Sequence, residues 1–123
     1  MTETPCKVSV LGTEYVIKRR KFDDEENFAK FKIDGWCDSS SKRIVFCDMR
    51  THPTLEDGTE QNCTRLENEI VRHELIHAFL NESGLQESSN RFDGAWANNE
   101  EMVDWIALQF PKIAVVFEKL NIL

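Results

Sequence analysis

The chain has 123 residues, enough for one domain with one core and too few for a separate regulatory module. Apolar residues make up 41% and aromatics 10%, which excludes a disordered chain and a disulfide-stapled miniprotein as the default. Fifteen basic against 22 acidic side chains give a formal charge of -7, which opposes binding to a phosphate backbone unless the cations gather on one face.

The N-terminus MTETPCKVSV lacks the basic-then-apolar pattern of a secretory leader, and no apolar run approaches the roughly 20 residues that span a bilayer. The expectation is a cytoplasmic protein with no membrane and no nucleic-acid partner. In that compartment Cys6, Cys37, Cys47 and Cys63 are expected as free thiols, and no CxxC pair marks a zinc knuckle. Cys37 and Cys47 could face each other across a hairpin.

In chain order, KVSVLGTEYVIKRR holds two β-rich runs split by Leu11-Gly12-Thr13, so residues 7 to 19 read as paired strands. The run Lys18 to Lys21 is followed at once by Asp23 to Glu26 and reads as a solvated mixed-charge surface. Residues 23 to 31 carry a weak helical signal, and GWCDSSSKRIVFCDM places a polar turn, Asp38 to Lys42, between two short strands. After a turn-like stretch from His52-Pro53 to Asn62, Thr64 and Glu67 form a possible capping box for a helix from about residue 64 to 82, with Gly84 as its left-handed cap.

On that helix Leu66, Ile70, His73, His77 and Leu80 fall on one stripe, so two of the three histidines interrupt what reads as the inward face. Histidines four apart on a helix project side by side and can converge on one cation, while Glu74 flanks them near a water that such a cation would hold. The pattern is HExxH, His73-Glu74-Leu75-Ile76-His77, in uncharged surroundings supplied by Val71, Leu75, Ile76, Ala78 and Phe79. Without a metal, up to four ring nitrogens would need partners inside an apolar stripe, at roughly 1 to 3 kcal/mol for each left unsatisfied.

A third ligand has to come from elsewhere. No histidine follows His77, and Ser83 stands where metzincins place one. NNEEMVDWIALQFP reads as a second helix from about Asn98 to Phe110, ending ahead of Pro111. It carries Glu100, Glu101 and Asp104, so that one carboxylate can bind the metal while Asp104 orients a ligating histidine. Glu100 borders the Val103, Ala107 and Phe110 face, with Glu101 the alternative. Asp93 in the polar SSNRFDGAWANN linker, a loop suited to border the site, is a distant third choice.

HELIH followed by NEEMVD is similar to the gluzincin pattern of HExxH with a later NExxxD, and the small chain resembles minimal gluzincins, ImmA/IrrE-type metallopeptidases and short phage-associated HExxH proteins. The resemblance covers roughly residues 70 to 113 and departs from the pattern in the doubled Glu100-Glu101. It implies His73, His77 and Glu100 as zinc ligands, Glu74 as general base and Asp104 as the histidine's partner. It also implies that a strand before the active helix, here Arg43 to Asp48, forms the sheet edge along which an extended peptide or protein substrate pairs.

A peptide deformylase would instead use an upstream cysteine ligand, and Cys37 in GWCDS faintly fits that arrangement. A further alternative is a catalytically silent zincin-like protein, holding zinc structurally and serving as a protein-binding module. For oxyanion stabilisation the chain offers only Tyr15, His52 and arginines such as Arg72 and Arg91. Trp36, Trp96, Trp105, Phe110 and the apolar tail read as core and helix packing. The expected fold is one α+β, zincin-like domain over residues 1–123: a small, mostly antiparallel sheet packed against the HExxH helix and the C-terminal glutamate helix, with the cleft between sheet edge and active helix.

Overall fold

The computed structural model describes residues 3–84, 90–91, 94–95 and 99–119. The elements in chain order are β1 (Cys6–Val10), β2 (Thr13–Arg20), α1 (Glu26–Phe31), β3 (Gly35–Asp38), β4 (Arg43–Cys47), α2 (Glu60–Glu82), the short strands β5 (Asn90–Arg91) and β6 (Gly94–Ala95), and α3 (Glu100–Lys119). The architecture is α+β, as expected. Asp93, Trp96 and the last residues of the tail lie outside the described residues. β5 and β6 pair with each other inside what reads from sequence as a plain loop.

The first hairpin closes as its turn residues dictate. Leu11 (φ 49°) and Gly12 (φ 88°) are both left-handed, the two-residue turn whose twist matches its flanking strands. The sheet order is β1-β2-β4-β3. Pairing is antiparallel at both outer seams and parallel between β2 and β4, so the sheet is mixed.

β4 is therefore an interior strand, and the edge expected at Arg43 to Asp48 belongs instead to β3. The reason lies in β4's own sequence. Ile44 and Phe46 are fully buried on one face, while Val45 and Cys47 pack on the other, and a strand apolar on both faces belongs inside a sheet. The register sets Cys37 opposite Ile44, so Cys37 and Cys47 do not face each other, and all four cysteines are free.

α2 packs across one face of the sheet. Val10, Tyr15, Ile17, Ile44 and Phe46 meet Val71 and Ala78 in one cluster, while Phe28, Cys47, Met49 and Cys63 form a second. The valine, isoleucine, phenylalanine and methionine side chains among them each contribute about 1.5–3 kcal/mol on full burial. α2 begins at Glu60, a turn earlier than Thr64 suggests, with Thr59 Oγ1 accepting from the Asn62 amide at 3.4 Å. Glu67 is not a capping residue. It is 4% exposed, and its carboxylate accepts from Arg19 Nη2 (3.0 Å), Arg50 Nη1 (3.0 Å) and the Met49 amide (3.1 Å). Strand alternation thus turns Arg19 out of its solvated charge run and toward α2.

The buried stripe of α2 is Cys63, Glu67, Val71, Glu74 and Ala78, rotated from the stripe read in the sequence. Leu66, Ile70, His73 and His77 instead line a cleft beside the sheet. Gly84 (φ 79°) follows the helix in the left-handed conformation expected of it.

α3 opens on Asn99, whose Oδ1 accepts from the Met102 amide at 2.9 Å. It buries Val103 and Ala107, while Trp105, Leu108 and Phe110 are exposed, against the packing role expected of Trp105 and Phe110. The helix runs through Pro111 rather than stopping before it. Proline at this position removes the N–H that would bond the carbonyl four residues back, that of Ala107, and Arg72 Nε donates to that oxygen at 3.2 Å. Among the described residues no helix is long and apolar enough to cross a membrane.

Candidate functional site

One turn of α2 and the first turn of α3 bring the site together. His73 and His77 are one helical turn apart, their ring centroids separated by 4.9 Å and their Nε2 atoms by 3.2 Å. Glu100 lies across both, with Oε2 3.0 Å from His73 Nε2 and Oε1 3.1 Å from His77 Nε2. Asp104, one turn further along α3, places Oδ1 2.5 Å from His73 Nδ1, on the far side of the ring. An Nδ1 proton donated to Asp104 would leave the Nε2 lone pair for an ion held in the cleft.

The two Nε2 atoms, 3.2 Å apart, thus each lie 3.0–3.1 Å from a different oxygen of the Glu100 carboxylate, donor types that hold divalent metals. Ligands about 2.0–2.1 Å from a tetrahedral ion are separated by about 3.3 Å, so this donor set fits such an ion in both chemistry and spacing. His73, Glu74 and His77 also form a group whose ligand atoms lie within 4.8 Å of one another. Glu74 belongs to the buried stripe of α2, and its Oε1 is 3.9 Å from His73 Nε2.

The two halves of the site differ in solvation. The imidazoles are 18% and 16% exposed, whereas the Glu100 and Asp104 carboxylates are 68% and 62% exposed. Burial pushes Glu74 up to about 7, with the His73 ring opposing and the Glu100 and Asp104 charges adding to the rise. Burial likewise lowers the pKa of His77, favouring the neutral imidazole that a metal requires. The Glu74 side chain, 7% exposed, lines the cleft with His73 Nε2 3.9 Å from its Oε1.

Glu101 is exposed and out of ion-pair reach of either imidazole, so the geometry separates the two glutamates that the sequence leaves as alternatives. Cys37 lines the same cleft from β3 but is not among the converging donors, and burial pushes its thiol up to about 12. The other polar candidates are occupied elsewhere. Tyr15 is fully buried and donates to Glu82 Oε1 at 2.7 Å, and Arg72 is engaged with Ala107. His52 packs edge-on against Phe22, with Nε2 3.3 Å from Asp34. Of the Arg91 side chain nothing is described.

The cleft has a volume of about 780 Å³ and is walled by β3, α2 and α3. β3 is the feature that sequence reading misassigns. Its Asp34 carbonyl accepts from the Cys47 amide at 2.8 Å, making Asp34 and Cys47 a hydrogen-bonded pair. In an antiparallel ladder bonded pairs alternate, so the amides and carbonyls of Gly35 and Cys37 point outward along the open edge. The close packing of β3 on α2 depends on Gly35, where a Cβ would fall 2.7 Å from Ile70 Cγ2. The apolar character of β4 on both faces was the signal that could have identified β3 as the edge.

No protein-family model, curated protein or solved structure matches the chain.

Proposed function

We propose that the protein is a zinc-dependent peptidase of the zincin type, with His73, His77 and Glu100 as the ligands. The observation that carries this reading is the convergence of His73, His77 and Glu100 beside the buried Glu74 carboxylate and the edge strand β3. Zinc held there would supply Lewis acidity toward water and toward a scissile carbonyl.

The chain's own residues supply the rest. The outward-facing backbone groups of Gly35 and Cys37 pair with an extended peptide and hold its backbone along the cleft. Glu74 accepts the proton of the attacking water and returns it to the leaving nitrogen. A carboxylate at the wall of the cleft, next to His73, is placed for both transfers. Asp104 fixes the tautomer and orientation of His73.

Metal analysis and peptide cleavage by the purified protein and its variants test the reading. Glu74→Gln retains zinc and loses hydrolysis; Glu100→Ala loses zinc, and Glu101→Ala keeps it. Zinc retained by both glutamate variants removes the ligand set. Wild type that holds zinc yet cleaves no member of a broad peptide library would instead make the domain a zinc-stabilised binding module.

A further inference from the structure

The cleft extends past the donor cluster toward the start of α2, and that end has a chemistry of its own. Gly35 packs against Ile70, and Asp34 before it lines the same cleft as Leu66 and Glu69 of α2. Ile33, Leu66 and Ile70 give this end apolar walls, and Asp34 and Glu69 give it two carboxylates. Among the described residues no lysine or arginine lines the cleft. Even with a divalent ion in place, Asp34, Glu69, Glu74, Glu100 and Asp104 would leave it net negative.

Neither carboxylate is locked into the fold. Asp34 is 45% exposed, and among the described residues its ion-pair partner is the His52 ring, 3.3 Å away. Glu69 pairs at 2.6 Å with Arg65, its neighbour one turn back on the helix, whose side chain is 57% exposed. Exposed pairs of this kind contribute about 0.2–1 kcal/mol and exchange readily for another cation.

We propose that this end of the cleft is a subsite for a lysine or arginine side chain of a peptide lying along β3, with its aliphatic stem on Ile33, Leu66 and Ile70 and its charged head between Asp34 and Glu69. A long cationic side chain satisfies apolar walls and an acidic rim together. Glu69 precedes His73 by one turn, about 6 Å along the helix axis. An extended chain advances about 3.3 Å per residue, so the basic residue stands about two positions from the bond held at the donor cluster. The inference rests on the peptidase reading for the line along which the peptide lies.

The test uses zinc-loaded protein and peptide pairs differing at that one position, lysine against norleucine and arginine against citrulline. Cleavage is measured with wild type, Asp34→Asn and Glu69→Gln, and binding is measured separately with Glu74→Gln. Asp34→Asn leaves the backbone bond to Cys47 intact, and Glu69→Gln lies on the helix surface, so each serves as a check on the other. The basic peptides are expected to be favoured about tenfold, through KM rather than kcat, less so at high salt, and the preference shrinks in both variants. Equal handling of lysine and norleucine peptides overturns the subsite while leaving the peptidase standing. Lysine-selective binding that Asp34→Asn abolishes, without cleavage of any peptide, supports the subsite and overturns hydrolysis. Neither selectivity nor cleavage overturns both.

Discussion

Arg72 Nε lies 3.2 Å from the Ala107 carbonyl oxygen, the acceptor that Pro111 leaves without its helical donor. Ala107 is 4% exposed, so water cannot easily replace the missing N–H, and an unsatisfied buried carbonyl costs about 1–3 kcal/mol. The guanidinium therefore ties α2 to α3 one residue before His73, at the seam where the donors of the two helices meet. Arg72→Met, which keeps the apolar stem, is expected to destabilise by about 1–3 kcal/mol. Pro111→Ala restores the helical N–H and should recover more stability in that background than in wild type. Urea unfolding of the four proteins measures the coupling; strictly additive effects would show that Arg72 does not serve this carbonyl.

Asp104 and Glu100 meet the same histidine on opposite nitrogens, and their removal should differ in degree. In the proposed zinc site Glu100 would contribute a donor, whereas Asp104, 2.5 Å from His73 Nδ1, would fix which nitrogen of His73 is free to donate. Loss of such an orienting carboxylate typically lowers metal affinity about 10- to 100-fold. Asp104→Ala should show that loss when zinc is titrated against a competing chelator, with the fold unchanged by circular dichroism. An affinity equal to wild type would reduce the His73–Asp104 contact to a surface hydrogen bond.

What the sequence discloses about this molecule is its local part. Gly12 marks a chain reversal and Gly84 a helix end because few other residues adopt positive φ, and HExxH is visible because helical spacing alone sets two imidazoles side by side. The errors arise where a distant element decides. Glu67 reads as a cap three residues after Thr64, yet two arginines from other elements draw it into the interior. The histidine stripe reads as the inward face, but the sheet meets α2 along Val71, Glu74 and Ala78 and leaves the imidazoles to the cleft. Pro111 reads as a helix stop because nothing local shows that an arginine from another helix stands in for the lost N–H. The place of β4 inside the sheet follows from its pairing with β2 across an intervening helix and strand, a partner choice that no short window contains.

Acid stability should depend on Glu82, which joins the end of α2 to the sheet. Its carboxylate accepts from Lys42 Nζ (2.6 Å), Tyr15 Oη (2.7 Å) and Thr13 Oγ1 (2.9 Å). The Lys42 bond foremost, with Tyr15 and Thr13, lowers its pKa from about 4.5 to about 2 against the opposing effect of burial. A carboxylate whose pKa is depressed by folding stabilises the native state above its unfolded pKa, and that contribution disappears as the folded form protonates. The contribution is therefore complete above about pH 4.5 and lost as the pH falls through about 2. Melting temperatures from pH 2 to 7 should converge for wild type and Glu82→Gln at the acid end and separate above it. A constant gap across that range would assign the stabilisation to packing rather than charge.

Gly35 packs β3 closely against the helix carrying Glu74, an approach that its lack of a side chain permits. A Cβ there would lie 2.7 Å from Ile70 Cγ2 and 3.0 Å from the Val45 carbonyl oxygen, with Glu74 Cγ next at 3.6 Å. The first contact is with a side chain and can be engineered away; the second is with backbone inside the sheet and cannot move easily. Gly35→Ala should therefore cost about 1–3 kcal/mol as α2 is forced off β3. Ile70→Leu removes the branched methyl while keeping the volume, so it should return part of that loss in the double variant, and only part, because the Val45 contact persists. Denaturant unfolding of the two single variants and the double variant decides the matter. If Gly35→Ala is as stable as wild type, or Ile70→Leu gives no relief, then the spacing between the open edge and Glu74 is not set by this glycine.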